Sequence, residues 1–301
     1  MIQSAHQHQS ANRTRTMILM LSFLGVVIGI GFLLAQAFGN PNILYGAVFF
    51  SILMNLVSYW FSDKVALAMS KAQPADPRQF AELHRMVENL AITAGIPKPR
   101  VYVIAEDVPN AFATGRNPKN GAVAVTQGLL KILDHAELEG VIAHELGHIK
   151  NRDILVSTMA VVLAGMLSIA ADFMIRARVA GGRMDDDRGN IITLVIGLAI
   201  SVLAPLFGSI LRFAVSRNRE YLADATGAEL TRNPESLASA LQKIHDHSKY
   251  LGPMQSASEA TAHLFISNPF GAGLGKSATA LFSTHPPAAE RVKRLKGMVG
   301  R

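Results

Sequence analysis

Half of the 301 residues are hydrophobic, enough for a sizeable core, but a mean hydropathy of +0.25 is high for a chain whose apolar residues are all internal. A formal charge of +7 and a pI near 9.8 suit anionic lipid headgroups, while no basic stripe interleaved with aromatics points to nucleic acid. The absence of cysteine excludes disulfides and thiolate ligands.

The chain opens with a polar segment, 1–16, in which His6 and His8 read as part of a disordered tail. Two uncharged stretches follow, 17–38 and 43–62, each long enough to cross a bilayer. The first is longer than a signal-peptide core and the second follows within a short turn, so the pair reads as a retained transmembrane hairpin, 17–62. Arg13 and Arg15 precede it and Lys64, Lys71 and Arg78 follow it, whereas its turn carries neither Lys nor Arg. By the positive-inside rule, both flanks are expected in the cytoplasm.

From Asp63 the chain reads as soluble. Asp76 and Pro77 resemble an N-cap and first helical position, and Phe80, Leu83, Val87, Leu90 and Ala91 form one apolar face before Gly95 stops the helix. Strands are expected at 100–104, 111–114 and 122–126, separated by Pro, Gly and Asn turns. Asp134 and Glu137 have the spacing of a capping box. The helix they introduce carries His144-Glu145-Leu146-Gly147-His148. Composition gives roughly 0.01 accidental His-Glu-x-x-His matches in such a chain.

Histidines four apart project from one helical face and reach one metal ion, with Glu145 on the neighbouring flank. Two imidazoles suit Zn²⁺, and Gly147 leaves room for close backbone packing. A helix, a small sheet and a helix with this motif form the upper half of a zincin, 63–153. A third protein ligand is then needed. A third histidine six residues past the second would fall at 154, which is Ile154. Glu220 in "SRNREYLADATGAEL" is the best candidate, and Asp224 on the same face is placed to hydrogen-bond the far nitrogen of a ligand histidine.

Two further uncharged stretches, 154–171 and 191–211, flank a loop with Arg176, Arg178, Arg183 and Arg188. This pair, 154–211, either spans against the charge bias or packs as a helical hairpin on protein and membrane surface. Residues 212–301 then supply the lower half with the third ligand.

"AHELGHIKNRD", "NREYLADATGA", the first apolar hairpin, "PNAFATG" and "THPPAAERVKRL" together resemble the HtpX family of membrane-bound zinc proteases in the M48 peptidase group, over nearly the whole chain and in consistent order. The resemblance implies a mainly α fold with a small β-sheet, a gluzincin-type catalytic domain attached to transmembrane helices. It also implies an endopeptidase of the bacterial inner membrane with a cytoplasmic active site, acting in quality control of membrane proteins under stress. Residue by residue, His144, His148 and Glu220 match the ligands of one zinc ion, Glu145 the base and Asp224 the outer carboxylate.

In such a site zinc activates a water and Glu145 moves its proton to the leaving amine. His285 is the candidate for holding the oxyanion, with Tyr221 and His263 behind it; alternatively His285 caps the helix starting at Pro287. Arg291 reads as a solvated helix face rather than the partner of a site carboxylate. Asn110, Ala111, Phe112 and Ala113 are expected to take an extended peptide along a strand edge, or else to be an ordinary strand of the core sheet. Asp153 reads as an outer or helix-end residue, and His245 and His247 as surface residues. Residues 251–284 form either a flap over the cleft or a plain loop. An intramembrane protease would carry the motif inside an apolar span, whereas Lys150, Arg152 and Asp153 follow it at once. A metal transporter would place ligands within the spans, and these four contain no His, Asp or Glu.

Overall fold

The computed structural model describes residues 2–165, 172, 197, 216–258, 260–270 and 286–299. Helix α1 (Ile2–Phe38) and α2 (Asn42–Met69) form an antiparallel hairpin through a turn in which Gly39 is left-handed. The expected tail is therefore helical from Ile2, and the second helix runs past residue 62 to Met69. Thr14–Phe38 and Asn42–Met69 are long and apolar enough to cross a membrane. Leu21, Tyr45, Phe49, Leu56 and Trp60 are each more than half exposed along this hairpin. A continuous apolar surface of this kind calls for a lipid or protein partner.

A four-stranded sheet follows, in the order β1 (Gln73–Pro74), β2 (Arg100–Ile104), β4 (Ala122–Thr126) and β3 (Ala111–Thr114). β2 and β4 are parallel, and β1 and β3 run antiparallel at the two edges. Three of the four strands match the expected bounds; the two-residue β1 carries no periodicity to find. Helix α3 (Ala81–Ala94) ends at left-handed Gly95 as expected, but begins later than Asp76. The Asp76 side chain instead accepts from the Arg78 N–H, and residues 77–80 form a turn. Helix α4 (Gln127–Ile132), capped by Thr126, is short enough to escape pattern reading.

β3 and β4 are buried on both faces and β2 nearly so, which is why these three read as continuous apolar runs rather than alternating ones. Val101, Val103, Ala111, Ala113, Val123 and Val125 face α3, α5 (His135–Lys150) and α8 (Pro234–Ser248). On the other side Ile104, Phe112, Ala122 and Ala124 pack against Ala66 and Leu67 at the end of α2, Val161, and Phe265. Arg100 at the start of β2 also pairs with Asp63 of α2. The sheet is thus seated directly on one end of the apolar hairpin.

Helix α6 (Ile154–Gly165) is buried between α1 and the sheet, with Met159, Ala160, Leu163 and Ala164 against Leu19, Phe23 and Ile30. The start of the second apolar pair is therefore packed on protein; the stretch 191–211 lies outside the described residues apart from residue 197. Helices α7 (Arg217–Thr231) and α9 (Ala288–Lys296) are the remaining helices among the described residues.

Candidate metal centre

Two elements supply the chemistry, α5 and α7. The capping box at the start of α5 is formed in both directions: Asp134 accepts from the Glu137 N–H at 2.9 Å, and Glu137 accepts from the Asp134 N–H at 3.0 Å. Burial alone would raise the Glu137 carboxyl. Hydrogen bonds from Lys243, Ser239 and Asp134 outweigh it and hold the group below the usual carboxylate range. The other end of α5 closes as a Schellman turn, with the Arg152 N–H on the Ile149 carbonyl and the Asp153 N–H on the His148 carbonyl. Arg152 takes the left-handed position, φ 58°, where glycine is usual. That turn brings the Asp153 carboxylate back beside His148.

Helix α7 crosses α5 at close range. A Cβ on Gly147 would lie 3.2 Å from the Ala223 carbonyl oxygen, and one on Gly227 would lie 3.0 Å from the His144 backbone nitrogen. Larger residues at either point would push α7 away and carry Glu220 with it.

At this crossing the Nε2 atoms of His144 and His148 approach to 3.2 Å. Glu220 Oε2 lies 3.8 Å from His144 Nε2, and Glu220 Oε1 lies 3.6 Å from His148 Nε2. One donor atom from each of the three residues falls within 4.8 Å of the others. Two nitrogens each about 2.05 Å from a tetrahedral metal would stand about 3.3 Å apart, so the observed spacing fits such an ion. Both Nδ1 atoms face carboxylates: His144 meets Asp224 at 3.0 Å and His148 meets Asp153 at 3.3 Å. A proton held on each Nδ1 would leave the Nε2 lone pairs directed at the same point.

Charge points the same way. Burial, and then the Arg291 guanidinium, push the His144 imidazole down to about 4. Burial opposes a charge on His148, yet Glu220, Asp153 and Glu145 together push it up to about 9. The excess of carboxylates that draws a proton onto His148 is the excess a divalent cation would neutralise. Glu145, 2% exposed, is pushed up to about 7, chiefly by burial, and accepts a hydrogen bond from the Ala113 backbone.

Arg291 departs from expectation. It is 1% exposed, not solvated. Its Nε and Nη2 atoms donate to the two oxygens of Asp224 at 2.9 and 2.6 Å, and Nη1 donates to the Ile266 carbonyl at 3.3 Å. Burial would raise the Asp224 carboxyl, but Arg291 and His144 hold it down at about 2. The sequence does carry a signal for this: Arg291 and Leu295, four apart, share the buried face of α9. Asn12, 141 residues from its partner, carries none; its amide donates to Asp153 at 2.6 Å. The relay behind His148 thus continues into α1.

His285 lies outside the described residues. Tyr221 turns to α9, where Arg294 stacks on its ring at 3.7 Å, and His263 meets the Ser157 carbonyl through Nε2. His245 and His247 are at the surface. β3 is an edge strand beside Glu145, but its outward side is partly taken: the Ile266 N–H donates to the Ala111 carbonyl, and Asn110 bonds both ways with Ser267. Met254 and residues 260–266 are buried and packed as core, whereas 251–253 are exposed; 271–284 lie outside the described residues.

The family model for peptidase family M48 matches residues 77–299. A protease HtpX homolog of Thermoanaerobacter pseudethanolicus is 47% identical over 300 residues, 97% of either chain. One from Pyrococcus furiosus is 47% identical over 284 residues, 94% of either chain. Among solved structures, the crystal structure of S. mikatae Ste24p superposes with a TM-score of 0.51 at 18% identity, covering 96% of this chain and 66% of that one; this likeness concerns the fold.

Proposed function

The chain belongs to peptidase family M48 and is a membrane metalloprotease of the HtpX type, and from that premise we propose that it is a zinc endopeptidase cleaving damaged membrane proteins from the cytoplasmic face of a bacterial inner membrane, in quality control under stress. The observation that carries the catalytic part is the convergence of His144, His148 and Glu220 within 4.8 Å, with buried Glu145 beside them. We assign these three as ligands of one zinc ion, which when bound would polarise the scissile carbonyl and activate a water.

The chain's own groups do the rest. Glu145, with a carboxyl held near neutrality, takes a proton from the nucleophile and returns it to the leaving amine. Asp224 and Asp153 keep protons on the Nδ1 atoms of the two ligand histidines. Arg291 fixes Asp224 and shields α7 from the charge of its own carboxylates. β3 receives the extended substrate at Ala113, with Asn110, Ala111 and Phe112 forming the strand behind it; Ala111 takes part only where the Ile266 contact yields. His285 is the proposed oxyanion donor. The proposed division is a cytoplasmic segment at 1–16, here the first turns of α1, a membrane hairpin at 17–62 whose second helix runs on to Met69, two zincin halves at 63–153 and 212–301, and the apolar pair 154–211 between them.

Zinc content and chelator-sensitive cleavage of an unfolded protein, measured together, test the assignment. Glu145→Ala is expected to keep its zinc and lose cleavage, whereas Glu220→Gln is expected to lose zinc. A Glu145→Ala protein that remains folded but sheds the metal would overturn the division of roles.

A further inference from the structure

Where the hairpin meets the sheet, a cavity of about 590 Å³ opens between α1, α2, the loop after β3 and the end of α5. Its wall is mixed: Arg116, Arg152 and Asn12 supply polar groups, and Met20, Tyr59 and Leu155 apolar ones. Its depth follows from helical rise. Met20 and Tyr59 lie 18 and 17 residues from the ends of α1 and α2 at the connecting turn, or about 26 Å at ~1.5 Å per residue. A hydrocarbon core is about 30 Å thick. Met20, Tyr59 and the Arg116 stacked on Trp60 therefore sit at the edge of the hydrocarbon, and Arg152, next to the Asp153 that Asn12 contacts about two turns further along α1, lies beyond it on the side of the metal centre.

Both arginines are available. Among the described residues neither is paired with a carboxylate. Arg116 lies 4.2 Å over the Trp60 ring, a contact that uses the face of the guanidinium and leaves its N–H edges. Arg152 is fixed at the cavity mouth by the left-handed turn that ends α5. Among the described residues, no acidic side chain lines the cavity.

We propose that this cavity binds an anionic phospholipid of the leaflet facing the metal centre, its phosphate between Arg116 and Arg152 and its first acyl carbons along Met20, Tyr59 and Leu155. Free phosphate has no use for the apolar groups, and a choline headgroup would bring a third cation to two arginines. The proposal rests on the membrane placement of the hairpin given above. It also places the lipid against Asn12, which donates to Asp153 behind His148.

Trp60, the single tryptophan of the chain, is a built-in probe. The zinc-loaded full chain in nanodiscs is compared with brominated phosphatidylglycerol or brominated phosphatidylcholine at equal mole fraction, each referred to the same protein in unbrominated lipid. The anionic lipid should be enriched at Trp60 at least about fivefold, the preference of one interfacial arginine for such a headgroup. The doubly substituted Arg116→Gln, Arg152→Gln protein, with unchanged thermal unfolding, should lose that preference. Equal quenching by the two lipids in the unsubstituted protein overturns the site while leaving the hairpin in the bilayer. Quenching by neither lipid overturns the placement and the site with it. Abolition of the preference by inorganic phosphate in the buffer shows a phosphate site without lipid selectivity, which also overturns the proposal.

Discussion

Arg291 ties three segments together, holding Asp224 of α7 through a two-pronged pair, the Ile266 carbonyl through Nη1, and its own helix α9 against both. A buried pair of this kind has little net value, but removing one partner strands the other, at a cost of about 3–5 kcal/mol. Arg291→Gln is accordingly expected to destabilise the protein by that order and to release the metal to a chelator about 10–100-fold more readily, since Asp224 would no longer fix His144. Adding Asp224→Asn should recover much of the stability measured by denaturant unfolding, but not the metal retention. Recovery of both would mean that the pair serves the fold alone. In "THPPAAERVKRL" Arg291 stands beside Lys293 and Arg294 and so reads as solvent-facing; only the apolar partner Leu295 on the same face argues otherwise.

At the scale of elements, the metal helix depends on its first turn. Glu137 receives bonds from Lys243, Ser239 and the Asp134 N–H while 4% exposed. Because its carboxyl is held lower in the folded protein than in the unfolded chain, its contribution is present above the unfolded value of about 4.3 and fades as the pH falls through the folded value. Glu137→Gln should thus cost about 1–2 kcal/mol at pH 7, as for the loss of a cap and a charged hydrogen bond. The gap between the two proteins in urea unfolding should close as the pH is taken below 4. A gap that stayed constant would assign the loss to packing. This element was legible because a capping box is local: Asp134 and Glu137 are three residues apart. The start of α3 misled because Asp76 does cap, but a turn rather than a helix.

At the scale of the whole molecule, the sheet seated on one end of the hairpin places the metal centre and residue 71 on the same side of any bilayer the hairpin crosses. A reporter fused after Lys71 is expected to read cytoplasmic and one inserted at Asn40 external, because that orientation keeps Arg13, Arg15, Lys64 and Lys71 inside. The opposite pattern would remove the proposed substrates along with the orientation. The sequence by itself determined most of the elements and the candidate residues: the apolar hairpin, three strands, the His-Glu-x-x-His helix and the Glu220 and Asp224 pair are all written in spacings of a few residues, where helix and strand periods act. Tertiary structure alone decided what stands behind that chemistry. Asn12 meets Asp153 across 141 residues, Arg291 meets Asp224 across 67, and Ile266 covers the β3 edge at Ala111. Such contacts leave no period in the chain, because whether an arginine or an asparagine is buried depends on a partner that only folding brings within reach.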